Sequence, residues 1–192
     1  MLSRLFSYAD DSTLLAVIRR PSDRPTVAAS VNRDLAGIHE WFGRWCMLLN
    51  PKKIYHSHGD LGLAGVPILS NPSLDILGVR FDCGLTFESH VRGVVSRVSQ
   101  RIGILRMVNG VYADTSVLRR CYYAFILSIL EYCSPVWGSA ASSHLRLLDR
   151  QIHAVSRLCP DQILKPLNHR RCVAGMCMLY KIHSHFETLF IW

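Results

Sequence analysis

Two adjacent carboxylates, Asp10 and Asp11, lie between apolar runs in Leu5-Phe6-Ser7-Tyr8-Ala9-Asp10-Asp11-Ser12-Thr13-Leu14-Leu15. Carboxylates this close repel one another, and a proton or a divalent cation relieves the repulsion. Apolar runs meeting at an acidic turn predict a β-hairpin. Successive side chains of a strand point to opposite faces, so Asp10 and Asp11 cannot both face the same way along regular strand. One of them can then face a site while its neighbour bends round the turn. Taken alone, Asp-Asp ahead of Ser-Thr is more often a turn or a helix cap.

Three further groups could do chemistry. Lys52 and Lys53 follow Asn50-Pro51 in a short polar turn, where two solvated loop lysines are the ordinary reading. Arg97 and Arg101 are four residues apart in a helical pattern, share a face, and could track phosphates. Cys159, His169, Cys172 and Cys177 are soft ligands close in sequence. Their spacing lacks the tight Cys-x-x-Cys pairs of zinc modules, and Cys172 and Cys177 fall on the apolar side of a helical pattern, so buried thiols are the expectation there.

The elements that must position these groups can be read from periodicity. After the hairpin, Pro21-Ser22-Asp23-Arg24-Pro25 breaks the chain. Val27, Val31, Leu35, Ile38, Phe42 and Trp45 then mark an amphipathic helix ending before Asn50-Pro51, its aromatic stripe packed under a sheet. Leu61 to Ile68 reads as a small hairpin turning near Ala64-Gly65. Leu74 to Phe81 reads as one strand, with Gly78 marking a bulge or a close approach of another backbone. From Phe87 onward the pattern is helical: Val91, Val95, Val98, Ile102 and Leu105 form one apolar stripe. Asp114 caps a helix running through Leu118, Cys121, Tyr122, Phe125, Ile129 and Leu130. Ser142 caps another with Leu145, Leu148, Ile152 and Val155 inward, and a last helix runs from about Arg171 to His183. The class is α+β: short antiparallel strands plus one helix over residues 1–86, then an all-α bundle over residues 87–192.

These residues together carry a resemblance. Tyr8-Ala9-Asp10-Asp11 resembles the catalytic tetrad of reverse transcriptases, and Leu49-Asn50-Pro51-Lys52-Lys53 resembles their downstream lysine motif. Leu77-Gly78-Val79-Arg80-Phe81-Asp82, with Leu85-Thr86-Phe87 and His90-Val91, resembles the palm-edge hairpin and the start of the thumb. Ile129-Leu130-Glu131-Tyr132-Cys133-Ser134-Pro135-Val136-Trp137-Gly138 resembles a segment of the thumb region. The order and spacing resemble non-LTR retrotransposon polymerases of the LINE type, in the jockey and chicken-repeat group.

The resemblance implies the second half of a polymerase palm followed by a thumb-like bundle. It implies two-metal nucleotidyl transfer with Mg²⁺ as cofactor, Asp10 and Asp11 as metal ligands, and Lys53 beside the incoming nucleotide. Tyr8 and Gly78 would lie along the primer, with Arg97 and Arg101 on the nucleic-acid backbone. The partners implied are an RNA template and a DNA primer. The family also uses an upstream aspartate, whereas only seven residues precede Tyr8 and none is acidic. The expectation is therefore a chain that does not polymerise by itself. A basic nucleic-acid-binding remnant, or a relic without function, is the alternative. A palm without its first strand exposes sheet edges, which predicts self-association.

Composition sets the bounds. The chain has 192 residues, is 49% hydrophobic and 19% charged, and is therefore globular rather than disordered. Its formal charge is +8. Residues 1–79 hold 8 Lys/Arg against 7 Asp/Glu, whereas residues 80–192 hold 14 against 7. The excess thus sits in the helical part, the footprint expected for a polyanion partner, although charge alone suits a merely soluble basic face equally well. The longest apolar run, Cys121 to Trp137, is broken by Glu131 and Pro135 and predicts a buried helix, not a membrane span. Seven cysteines without framework spacing, and no secretory signal, predict reduced thiols in the cytoplasm or nucleus.

Overall fold

The computed structural model describes residues 3–9, 11–47, the backbone of 55–56, 61–63, 65–112, 114–158 and 166–185. The chain divides into two compact units, Met1–Cys83 and Gly84–Trp192.

The first unit is built from two-stranded ladders around one helix. β1 (Ser3–Tyr8) and β2 (Asp11–Ala16) pair antiparallel from Ser3↔Ala16 to Tyr8↔Asp11, leaving a two-residue loop. Ala9 in that loop has φ of 52°, the left-handed conformation that two-residue hairpins demand and that an alanine adopts at some strain. A 3₁₀ turn at Pro21–Asp23 leads into α1 (Arg24–Arg44), with Pro25 in its first turn, where a missing N–H is harmless. α1 closes with a Schellman motif: Met47 N–H donates to Phe42 O at 2.9 Å and Cys46 N–H to Gly43 O at 3.2 Å, with Cys46 at φ 54°. Val27 and Val31 are buried, Asp34 accepts a hydrogen bond from the Ser3 hydroxyl of β1, and Asn32 accepts one from Gly62 N–H. One helix therefore holds both β1 and the chain at Gly62.

The aromatic end of α1 is not packed under a sheet. Phe42 is half-buried, while Trp41 and Trp45 are about half and two-thirds exposed and stack only on neighbours in their own helix end.

β3 (Tyr55–His56) pairs parallel with β6 (Leu69–Ser70), and β4 (Gly62–Leu63) pairs antiparallel with β5 (Val66–Pro67) around Gly65, at φ 81°. The stretch expected as one strand from Leu74 to Phe81 is instead a hairpin, β7 (Ser73–Ile76) and β8 (Val79–Asp82). Leu77 and Gly78 form its two-residue turn at φ 48° and 79°, the pattern of a type I′ turn. Gly78 is thus a turn residue rather than a bulge, and it supplies a left-handed backbone. Asp75 and Arg80 face each other across this hairpin in a two-pronged ion pair, with Nε and Nη2 at 2.9 and 2.8 Å from the carboxylate.

The second unit is helical. α2 (Glu88–Tyr112) begins beside buried Phe87, and Val91, Val94, Val98, Ile102 and Leu105 form its buried face. Val94 takes the central place expected of Val95, which is half-buried. Asp114 caps α3 (Thr115–Cys121), accepting from Ser116 N–H at 2.8 Å. Those hydrogen bonds hold the Asp114 carboxyl below the usual carboxylate range.

Tyr122–Leu127 is a π-helical stretch and α4 (Ser128–Glu131) continues from it. The wider turn changes the buried set to Leu118, Tyr122, Ile126, Leu127 and Leu130. Phe125, expected inward, is 56% exposed. Cys133, at φ 51°, reverses the chain into α5 (Ser134–Trp137). Trp137 is fully buried, donates from Nε1 to Tyr132 O at 2.8 Å, and lies 5.9 Å from the His90 ring.

Ser142 opens α6 (Ser142–Ser156) rather than capping it; Ala141 holds the cap position and no side chain bonds there. Leu148, Ile152 and Val155 point inward as expected. α7 runs over Leu167–His185, longer than expected at both ends, and buries Leu167. No helix among the described residues is long and apolar enough to cross a membrane.

Candidate nucleic-acid interface

The acidic hairpin is positioned from one side only. Residues directly opposite share a face, so Arg4, Phe6 and Tyr8 lie on the same face as Leu15, Thr13 and Asp11. The other face carries Ser3, tied to α1 through Asp34, and the Ser7–Ser12 hydroxyl pair at 3.0 Å. Tyr8 is 69% exposed at the end of β1, and Asp11 is exposed at the first residue of β2. The last rung of the ribbon therefore presents a phenol and a carboxylate side by side. Asp10 and Lys53 lie outside the described residues.

A hard divalent cation such as Mg²⁺ needs only one or two carboxylates if water and phosphate oxygens complete its shell. Asp11 is a carboxylate of that kind, open to both. Among the described residues no cluster of three His, Cys, Asp or Glu side chains stands ready to hold a metal. Cys172 and Cys177, expected to be buried, are both exposed on α7, where the helix has little packed against it. His169 is exposed on the same helix, and Cys159 lies outside the described residues.

The basic helical unit sorts its arginines into two kinds. Arg92 pairs with Glu88 at 2.8 Å, Arg170 with Glu131, and Arg171 with Asp149 at 3.6 Å. The Glu131 hydrogen bond raises the Arg170 pKa further above its ordinary value. Arg97 and Arg101, by contrast, are exposed on α2 with no carboxylate partner among the described residues. Such unpaired cations keep their full attraction for phosphate.

Reading by sequence missed two supports. Asp34 ties β1 to α1, and the Asp75–Arg80 rung stiffens the hairpin carrying Gly78. The second was accessible, since Asp and Arg flank Leu77-Gly78 at positions that a two-residue turn places opposite each other. The first was not, because 31 residues separate the partners.

The chain is similar to a Drosophila melanogaster protein named "Probable RNA-directed DNA polymerase from transposon BS", being 28% identical over 183 residues. The match takes in 86% of this chain and 20% of that protein, so the chain spans about a fifth of its length. The similarity supports a reverse-transcriptase-like family. No family model matches the chain, and no solved structure does.

Proposed function

We propose that the chain is a portion of a non-LTR retrotransposon reverse transcriptase, comprising the second half of the palm and the thumb. Its retained activity is binding an RNA template paired with a DNA primer. The observation that carries this reading is the similarity to a transposon RNA-directed DNA polymerase across 86% of the chain. The tight hairpin with Tyr8 and Asp11 exposed on its last rung agrees with it. The unpaired Arg97 and Arg101 suit a phosphate backbone.

In this reading Asp10 and Asp11 hold Mg²⁺, and Tyr8 and Gly78 lie along the primer. Lys53 faces the triphosphate, where its ammonium would offset charge on the leaving group. Bound metal would supply the positive charge that phosphoryl transfer needs. These 192 residues span about a fifth of the relative's length, and in this reading they bind the hybrid without polymerising by themselves.

The test is Mg²⁺-dependent primer extension on an RNA template by the purified chain, beside an Asp10→Ala/Asp11→Ala variant. The expected result is no incorporation by either protein, with hybrid binding intact in both. Incorporation by the parent chain that the variant loses would make the chain a working polymerase and overturn the binding-only reading.

A further inference from the structure

We propose that the groove between α2 and the π-helical stretch takes one unpaired nucleobase, stacked on Phe125, with Arg97 and Arg101 on the flanking phosphates. This rests on the nucleic-acid reading above and adds to it a site in the helical unit that reads bases rather than backbone alone.

Three observations converge. Regular α-helical continuation from Leu118 through Cys121 and Tyr122 would turn Phe125 into the core. The π-helical stretch instead buries Ile126 and leaves Phe125 56% exposed. Such widened turns are frequent at functional sites. Phe125 forms one wall of a cavity of about 140 Å³, with Cys121 and Ile126 beside it and Ile104, Val108 and Arg101 across from it on α2. Arg101 is thus both an unpaired cation and part of an apolar wall, with Arg97 one turn before it on α2.

The mixture of groups selects the occupant. A purely apolar ligand would gain nothing from the guanidinium, and a free anion would gain nothing from the phenyl ring. A base attached to its phosphate uses both, by stacking on the ring and pairing with the arginine. The volume is well below the roughly 300–1,000 Å³ of ordinary small-molecule sites, which suits a single flat ring. Stacking of this kind is tolerant of sequence, because every base has a π-face.

The experiment is fluorescence anisotropy of the full chain with three labelled ligands of equal length: a single-stranded oligonucleotide, the same backbone made abasic, and a blunt RNA–DNA hybrid. Phe125→Ala should weaken single-strand binding by about tenfold. It should leave the abasic strand and the hybrid unchanged, while Phe125→Tyr restores single-strand binding. Arg101→Ala should weaken all three. If Phe125→Ala leaves single-strand binding unaltered while the hybrid still binds, the base site is wrong and the nucleic-acid reading stands. If Phe125→Ala weakens all three ligands alike, the ring supports the fold and the base site is again wrong. If none of the three binds the parent chain, both readings fall.

Discussion

The two units of this chain use opposite means of holding a shape. Among the described residues, four buried apolar side chains serve the first unit: Val27, Val31, Leu63 and Val79. Seventeen serve the second, from Phe87 to Leu167, and they include the fully buried Trp137. The first unit relies on backbone ladders two strands wide, two of them linked to α1 by the polar contacts Ser3–Asp34 and Gly62–Asn32. A lone two-stranded ribbon is marginal in water, so this unit has little in reserve. The lesson concerns function. The groups that resemble a catalytic centre ride on the weakly cored unit, whereas the basic surface rides on the well-cored one.

The sharpest way to break this contrast is Trp137→Ala. Emptying a buried indole and orphaning the Tyr132 carbonyl should destabilise the helical unit by about 3–5 kcal/mol, read as the urea midpoint of helical circular dichroism. Hydrogen exchange in β1 and β2 should stay as fast as in the parent. Equal loss in both units would mean that they fold as one.

Gly138→Ala should be the next largest. A Cβ there would stand 2.6 Å from Ser134 O, a backbone atom with no freedom to yield, although the φ of −65° suits alanine. The overpacking should cost about 1–3 kcal/mol, again confined to the helical unit in the same melts. A neutral result would show that α5 shifts freely enough to relieve the contact with Ser134.

Alkaline pH separates the units more gently. Burial pushes the Tyr122 phenol up to about 12 from an ordinary 10.0, outweighing the opposing pull of Arg170. A group whose pKa rises on folding gives its full stabilisation below its unfolded value and loses it as pH climbs through the folded one. Helical stability should therefore fall between about pH 10 and about 12, and Tyr122→Phe should remove that part of the slope. An identical slope in the variant would exclude the phenol as its source.

The smallest effect belongs to the Asp75–Arg80 rung. Both partners are about half exposed, so Asp75→Asn should cost less than about 1 kcal/mol, and less still in high salt. A larger loss, read in the exchange rates of the β7–β8 amides, would mean that the hairpin depends on its charges more than on its turn.

How far the sequence forecasts these features depends on how local their causes are. The tight turn between β1 and β2, the Asp114 cap and the buried faces of α2 and α6 follow from spacing within a few residues, and they are legible. Periodicity hides the β7–β8 hairpin because apolar residues on both sides of Leu77-Gly78 imitate one continuous strand, whereas the resemblance implies a hairpin there. Phe125 was misplaced because a π-helical turn leaves no mark in a periodicity of 3.6. Trp45 reads as core in any amphipathic pattern, yet it is two-thirds exposed, because burial depends on what packs against the helix end and not on the pattern alone. Of the candidate site, Tyr8, Asp11, Arg97 and Arg101 were legible as residue types. Which arginines keep a free charge could be learned only from where the carboxylates fall.

The most direct test is the salt dependence of RNA–DNA hybrid binding by the parent chain and by Arg97→Ala/Arg101→Ala. If the helical unit tracks phosphates, log K should fall linearly with log salt, and the double variant should bind more weakly with a slope shallower by about two. No hybrid binding at low salt, or a slope identical in the two proteins, would contradict the assignment of this chain's retained activity to those arginines.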